Sequence, residues 1–245
     1  MRTIRITGTG SALPGRIVTN KELEQLVETS DEWIRERTGI GERHVSVGET
    51  VVTLGSEAAC KALEQAGKRA EEIDLILVAT CSPEQYLPCC ACQVQAAIGA
   101  VNALAFDGNA ACSGFLFALN TADAYLRMGL AENALIIGSE VLSKLVDWTD
   151  RSSCILFGDG AGAVVVEQCR AESRAVEEKQ IPAAGILGRA LHSDGTGGGA
   201  LQCDARELTT PYARTSAVKT DQNQPMDDRE HFIQMDGQEV YRFAT

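Results

Sequence analysis

"FDGNAACSGF", residues 106–115, decides how the rest of the chain is read. A short apolar run ends in an acid, turns through Gly108 and Asn109, and restarts with two alanines and a cysteine. The helix that Cys112 opens carries Phe115, Leu116, Phe117, Leu119, Tyr125, Leu126 and Met128. Being apolar on nearly every side, it belongs inside a protein. Free N–H groups and the dipole at its start would stabilise a charged thiolate by about 0.3–1 kcal/mol when exposed and up to ~2 when partly buried. The same N–H groups suit an oxyanion. Local reasoning leaves two readings open: a packed thiol, in the manner of many buried cysteines, or a nucleophile.

Outward from this segment the chain alternates strands and helices. "RTIRITGTG" (2–10) alternates like a strand, and Thr19 or Asn20 caps a helix bearing Leu23, Leu26 and Val27 on one face. Ser30 caps a second short helix that stops at Gly39, and a third spans about Leu54 to Ala66 with Gly67 at its end. "DLILVAT" (74–80) is a continuous apolar run, the mark of a strand covered on both faces. A helix near 89–97, a strand at Ala103–Phe106, the Cys112–Met128 helix and the strand "ALIIGSE" (134–140) follow. "CILFGDGAGAVVVE" (154–167) reads as a strand, a glycine turn and a strand. The order implies an α/β protein with a mostly parallel sheet and helices on both faces. Beyond residue 168 the pattern weakens: "CRAESRAVEEKQ" reads as a surface crossover, "HSDGTGGGALQ" (192–202) and "TDQNQPMDDRE" (220–230) as loops, and Met235–Phe243 as the start of a helix.

With 245 residues the chain can bury a large core, as one large domain or two small ones. No apolar leader opens it and no run approaches the roughly 18 apolar residues of a membrane span. A cytoplasmic setting is expected, in which the nine cysteines stay reduced. A net charge of −12 argues against a nucleic-acid surface. Any anionic ligand then needs a local cationic cluster. One stands in "DEWIRERTGIGERH" (31–44), where Arg35, Arg37, Arg43 and His44 crowd beside Trp33, unless this is simply a solvated helix face.

Other motifs fall short of the chemistry they suggest. "GTGSAL" (8–13) has Leu13 where a dinucleotide fingerprint wants glycine, "GDGAGA" (158–163) leads into a strand, and "GTGGG" (195–199) lacks the Lys-Ser/Thr pair of a phosphate loop. Cys81, Cys89, Cys90 and Cys92 offer one Cys-x-x-Cys pair but no second pair at metal-binding distance, and read as small apolar residues of a buried helix.

"FDGNAACSGF" also resembles the active-site segment of the β-ketoacyl-acyl-carrier-protein synthase III family of the thiolase superfamily. "GTGSALPGRIVTN", "TSDEWIRERTGIGERH", "CQVQAAIGA", "LIIGSEVLS", "TDRSSCILFGDGAGAVV", "LHSDGTGG" and "MDGQEVYRFA" are similar to that family in the same order, and together cover nearly the whole chain. The resemblance implies a five-stranded-type thiolase-like half over 1–170, and over 171–245 a crossover and the start of a second half. It implies a transferase in which Cys112 takes an acyl group from acyl-CoA and then condenses it with malonyl-acyl-carrier protein, with decarboxylation. Acyl-CoA is a substrate on this reading, no cofactor or metal is called for, and a homodimer is expected. A specialised polyketide-type synthase and an inactive CoA-binding fragment are the alternatives.

By the same resemblance Thr29, Trp33, Arg37 and Arg151 match positions that contact CoA. Tryptophan and arginine can hold an adenine between them, and arginine suits phosphate. Leu87, Leu142 and Phe157 match the acyl pocket, Leu87 at a position that often carries a large aromatic reaching in from a partner subunit. Two departures stand out. Gly108 replaces a larger apolar residue, and the family's His-Gln-Ala-Asn segment is absent: His44, His192 and His231 stand in unrelated contexts. The chain therefore reads as the first half plus a crossover, a fragment or a shortened product.

Overall fold

Leu75–Ala79 is buried at every position, so this strand needs a layer of helices on each face. A computed structural model of the chain describes residues 2–170, 173–176, 179–182, 185–204 and 232–244. The stretch 220–230 and His231 lie outside the described residues. In chain order the elements begin with β1 (Arg2–Ala12), β2 (Arg16–Thr19), α1 (Asn20–Leu23), α2 (Asp31–Thr38), β3 (Glu42–Val45) and α3 (Val51–Ala66). β4 (Leu75–Ala79), α4 (Cys90–Ile98), β5 (Leu104–Gly108), α5 (Gly114–Met128) and β6 (Asn133–Val141) follow. The rest are α6 (Arg151–Cys154), β7 (Asp159–Arg170), β8 (Ser173–Val176), β9 (Lys179–Pro182), β10 (Leu201–Gln202), β11 (Gln234–Met235) and α7 (Gly237–Ala244).

Five strands form one sheet in the order β1-β7-β6-β4-β5. β4 runs parallel to β5 and β6, while β7 is antiparallel to β6 and to β1. Four strands thus share a direction and β7 opposes them. Alternate residues of β4 serve the two faces. Ile76 and Val78 join Leu54, Ala58 and Ala62 of α3 and Val94 of α4, whereas Leu75, Leu77 and Ala79 join Ala118, Ala122 and Leu126 of α5. The α/β expectation is met.

The chain divides into two compact units that interleave along the sequence. One comprises Met1–Ile17, His44–Leu142 and Gly158–Leu191, and holds the sheet. The other comprises Val18–Arg43, Ser143–Phe157 and His192–Thr245, and has its own core of Leu23, Ile34, Val146, Cys154, Ile155 and Ile233.

Several local expectations need correction. Residues 154–167 form no hairpin: Gly160 and Gly162 lie within β7, paired with Glu140 and Gly138 of β6. Ladder bonds to strands on both sides override the turn preference of glycine. The expected crossover at 169–180 instead holds the end of β7 and an antiparallel ribbon of β8 and β9. The first helix ends at Leu23, and Leu26 N–H and Gln25 N–H close tighter turns onto Leu23 and Glu22. α5 starts at Gly114, two residues after Cys112, and it is not buried all round, since Leu116 is 56% exposed.

Candidate active site

In the first unit, the carboxyl ends of β4, β5 and β6 meet. That end of a parallel sheet is where α/β proteins place their ligands. Thr80 N–H donates to the Gly108 carbonyl at 3.2 Å, tying the ends of β4 and β5 together. The chain then turns through Ala110, and Ala111 takes φ +42°, a left-handed conformation that a residue with a Cβ adopts at a cost of about 1–3 kcal/mol. Strain of this kind concentrates at functional sites. One 3₁₀ turn, Ala111–Ser113, carries Cys112 out to solvent, and α5 follows. Gly114 fits against β4, where an added Cβ would lie 3.1 Å from Ala79 Cβ. Cys112 therefore sits exposed just ahead of the N-terminus of a 15-residue helix.

At the carboxyl ends of the same strands stands a carboxylate that sequence reasoning missed. Glu140, near the end of β6, accepts the Thr80 hydroxyl at 3.1 Å, the Cys81 N–H at 2.8 Å and the Ser82 hydroxyl. Ser82 Oγ in turn accepts the Val141 N–H at 2.9 Å. The only sequence signal was an acid closing an apolar strand. Burial pushes the Cys81 thiol up to about 12, helped by the charge and hydrogen bond of Glu140 and by neighbouring Cys112. Cys81 stays a neutral thiol.

Leu87 is 86% exposed, in the loop between β4 and α4. Leu142 follows β6 and is half-buried.

The second unit gathers the cationic residues. Ser30 caps α2 by accepting the Trp33 N–H at 3.1 Å, which fixes the first turn of the helix that carries Trp33 and Arg37. Arg37 lies one turn on, its guanidinium carbon 4.3 Å from the Trp33 ring centroid. Arg151, on α6, approaches the same ring to 4.8 Å and donates to the Glu28 carbonyl at 3.0 Å, next to Thr29. Thr29 Oγ1 is buried and has no hydrogen-bond partner among the described residues. Asp150 caps α6 by accepting the Ser152 N–H at 2.8 Å. Burial alone would raise its pKa, but hydrogen bonds from Ser152 and Ser153 outweigh this and hold the carboxyl below the usual range.

A cleft of about 640 Å³ opens here, lined by Trp33, Arg37, Ser152, Leu156, Met235 and Gln238 among others. Phe157 packs against this unit's core. The other members of the cationic run are otherwise engaged. Arg35 holds both oxygens of Asp31 at 2.9 Å, and His44 contacts the Pro14 carbonyl at 2.7 Å. Arg43 is buried and donates to Asn20 Oδ1 at 2.8 Å and to the Ile155 carbonyl at 3.1 Å.

The fold is that of an α/β protein, with an exposed thiol behind a strained turn at the carboxyl ends of its parallel strands. Residues 106–195 match the family model described as 3-oxoacyl-[acyl-carrier-protein (ACP)] synthase III. The β-ketoacyl-[acyl-carrier-protein] synthase III of Clostridium acetobutylicum is 46% identical over all 245 residues, which span 69% of that relative. The crystal structure of the 3-oxoacyl-[acyl-carrier-protein] synthase III of Aquifex aeolicus superposes with a TM-score of 0.80 at 39% identity, over 98% of this chain and 67% of that one. A priming β-ketosynthase of the R1128 polyketide pathway superposes at 0.78 with 33% identity, over 99% and 66%. The chain belongs to the β-ketoacyl-acyl-carrier-protein synthase III family, with the thiolase-type fold expected from its motifs.

Proposed function

We propose that the protein accepts an acyl group from acyl-CoA on Cys112, as the first half of a decarboxylative condensation with malonyl-acyl-carrier protein. The single observation that carries this is the position of Cys112: exposed, carried by the strained Ala111 turn, and standing just ahead of the N-terminus of α5. A thiolate there attacks the thioester carbonyl, the developing oxyanion draws on nearby N–H donors, and CoA leaves as its thiolate. In the second half, the malonyl thioester loses carbon dioxide and the resulting carbanion attacks the acyl-enzyme, releasing the cysteine.

Trp33, Arg37 and Arg151 are proposed to hold the CoA adenine and phosphates. Two guanidinium groups over one indole form a stacking surface into which a purine can slide, and arginine pairs with phosphate in bidentate fashion. Thr29 would contribute its unpaired hydroxyl. Leu87, Leu142 and Phe157 are proposed as acyl-pocket positions, where leucine at 87 leaves more room than an aromatic. No cofactor enters this chemistry. Among the described residues no helix is long and apolar enough to cross a membrane.

A polyketide-type starter synthase is the second reading, favoured by the likeness to the R1128 priming enzyme. Incubation with a panel of acyl-CoAs separates the two, read as intact mass beside a Cys112→Ala control. Acetyl transfer abolished by C112A supports the first reading, while exclusive use of longer or branched acyl groups supports the second. Arg151→Ala is expected to weaken acyl-CoA binding or slow acylation about tenfold, for the loss of roughly 1.4 kcal/mol of cation–π and phosphate contact. Unchanged binding and acylation in folded R151A would remove Arg151 from the site.

A further inference from the structure

The steps proposed above give no task to Glu140, although both its carboxylate oxygens are engaged. Oε1 accepts the Cys81 N–H at 2.8 Å. Oε2 accepts the Thr80 hydroxyl at 3.1 Å and the Ser82 hydroxyl as well. Two cross-ties close the cluster: the Ser82 N–H donates to Thr80 Oγ1 at 3.2 Å, and the Val141 N–H to Ser82 Oγ at 2.9 Å. Thr80 and Ser82 are 6% and 1% exposed, so water does not readily replace these bonds. One side chain of β6 thus fixes the three residues that leave β4.

The turn that carries Cys112 rests on the same place. At its start, Gly108 is the register partner of Ala79, and the Gly108 carbonyl accepts the Thr80 N–H at 3.2 Å. At its end, Gly114 lies so close to β4 that an added Cβ would come 3.1 Å from the Ala79 Cβ. Both ends of the segment 109–113 are therefore seated on Ala79 and Thr80. Between them the Asn109 side chain accepts the Ala111 N–H at 3.3 Å, and Ala111 keeps its φ of +42°. A backbone strained in this way persists only where its surroundings over-determine it. The seat on Ala79 and Thr80 supplies that constraint, and Glu140 fixes Thr80.

We propose that Glu140 is a positioning residue for Cys112. By clamping Thr80, Cys81 and Ser82 it holds the strained turn that presents the thiol just ahead of α5. Its part is geometric: an amide and two hydroxyls converge on one side chain that offers two acceptor oxygens. Without that side chain the residues after β4 lose their common anchor, and the turn seated on them relaxes. The effect falls on the geometry of attack and not on affinity, because Trp33, Arg37 and Arg151 make none of these bonds.

The test compares wild type, Glu140→Ala and Glu140→Gln, each shown to be folded by its thermal transition, in two assays. The first follows intact mass with acetyl-CoA, and so rests on the acyl transfer proposed above. E140A should slow acylation at saturating acetyl-CoA about 10- to 100-fold, the scale of a misplacement of about 1 Å, with the half-saturating concentration unchanged. E140Q keeps an acceptor for the Cys81 N–H and gains an amide N–H that a hydroxyl oxygen can accept, so it should restore the rate to within about threefold of wild type. The second assay needs no CoA. Limiting iodoacetamide is read as the ratio of labelling at Cys112 to that at Cys60 of α3, which should fall toward one in E140A and recover in E140Q. Should E140A fail to fold, Thr80→Val takes its place, with a smaller fall in the same direction in both assays. If wild type takes up no acyl group, the acyl-transfer reading fails, and the labelling ratio still decides on Glu140. A wild-type rate or ratio in the folded clamp variant overturns the proposal. So does an E140Q as impaired as E140A, which would assign the effect to the charge and not to the clamp.

Discussion

Exposure and burial already sort the nine thiols one residue at a time. Cys60, Cys112 and Cys203 are exposed, while Cys90 and Cys154 are buried. Cys60 lies inside α3, far from a helix terminus, and the Cys203 thiol, although its residue is exposed, is raised by partial desolvation and by the Asp204 charge. Cys112 alone of the three stands ahead of a helix N-terminus. Limiting iodoacetamide at neutral pH is expected to label Cys112 about two- to fivefold faster than Cys60, the ratio given by about 0.3–1 kcal/mol of dipole stabilisation. Peptide mapping reads it out, and a faster Cys60 would mean that α5 does not activate the nucleophile. Glu49 offers a second test at this scale. Its carboxylate accepts the Val47 N–H at 2.9 Å, the Gly15 N–H at 3.3 Å and the Ser46 hydroxyl at 3.2 Å. These bonds, the Val47 one foremost, hold its pKa at about 2, against an ordinary 4.5. A depressed carboxylate contributes stability that is fully present above about pH 4.5 and is lost as the pH falls toward 2. Urea midpoints should therefore fall less steeply for Glu49→Gln than for wild type across that window. Parallel curves would mean that the bonds are not kept in solution.

Between elements, the tightest fit is β1 against α3. A Cβ added to Gly10 would come 2.2 Å from the Ala58 carbonyl oxygen and 2.6 Å from the Ala62 nitrogen, and one at Gly8 would meet Ala62 and Ala66 as closely. These atoms are helix backbone and cannot step aside. Gly10→Ala is expected to cost about 3 kcal/mol, the upper end of ordinary overpacking. Gly15→Ala, with nothing within 4 Å among the described residues, should change the urea midpoint little. Equal stability of the two variants would show that α3 shifts freely on the sheet. The glycines that resembled a nucleotide loop thus serve packing, a role hidden in the sequence because their clash partners lie some fifty positions away. What was legible followed from local chemistry: the apolar run of β4, the Ser30 cap, the glycine stops at Gly39 and Gly67, and the place of Cys112 near a helix start. What was not legible depends on distant pairing. β7 is continuous because β1 and β6 bond it on both sides, Arg151 meets Trp33 only through folding of the second unit, and Glu140 acquires its hydroxyl and amide partners from the loop after β4.

For the whole molecule, the question is which half of the chemistry these 245 residues can perform unaided. Acyl transfer needs a nucleophilic thiol and an oxyanion site, and the proposed mechanism draws both from the strained turn ahead of α5. Condensation needs more, because negative charge must develop on the malonyl thioester oxygen, where the family aims a histidine and an asparagine. The sequence contains three histidines and no His-Gln-Ala-Asn segment. His44 is engaged with the Pro14 carbonyl, and His192 is exposed in the second unit. Losing one preorganised donor to such an oxyanion costs about 10²–10³ in rate, and losing two compounds it. In the first unit α5 also presents Leu116 and Met128 to solvent, the latter 74% exposed, with Leu130 just beyond. An apolar surface of that kind favours association, so the assay calls for dilute protein whose state is checked by light scattering. The 245-residue polypeptide alone is expected to become acylated at Cys112 from acetyl-CoA, seen as a mass increase absent from C112A, yet to release no ketoacyl product from malonyl-acyl-carrier protein above the no-enzyme control. Product formation at the rate of a longer family member would mean that a substitute donor pair lies within these residues, and Glu140 with its hydroxyl partners would be the first place to look.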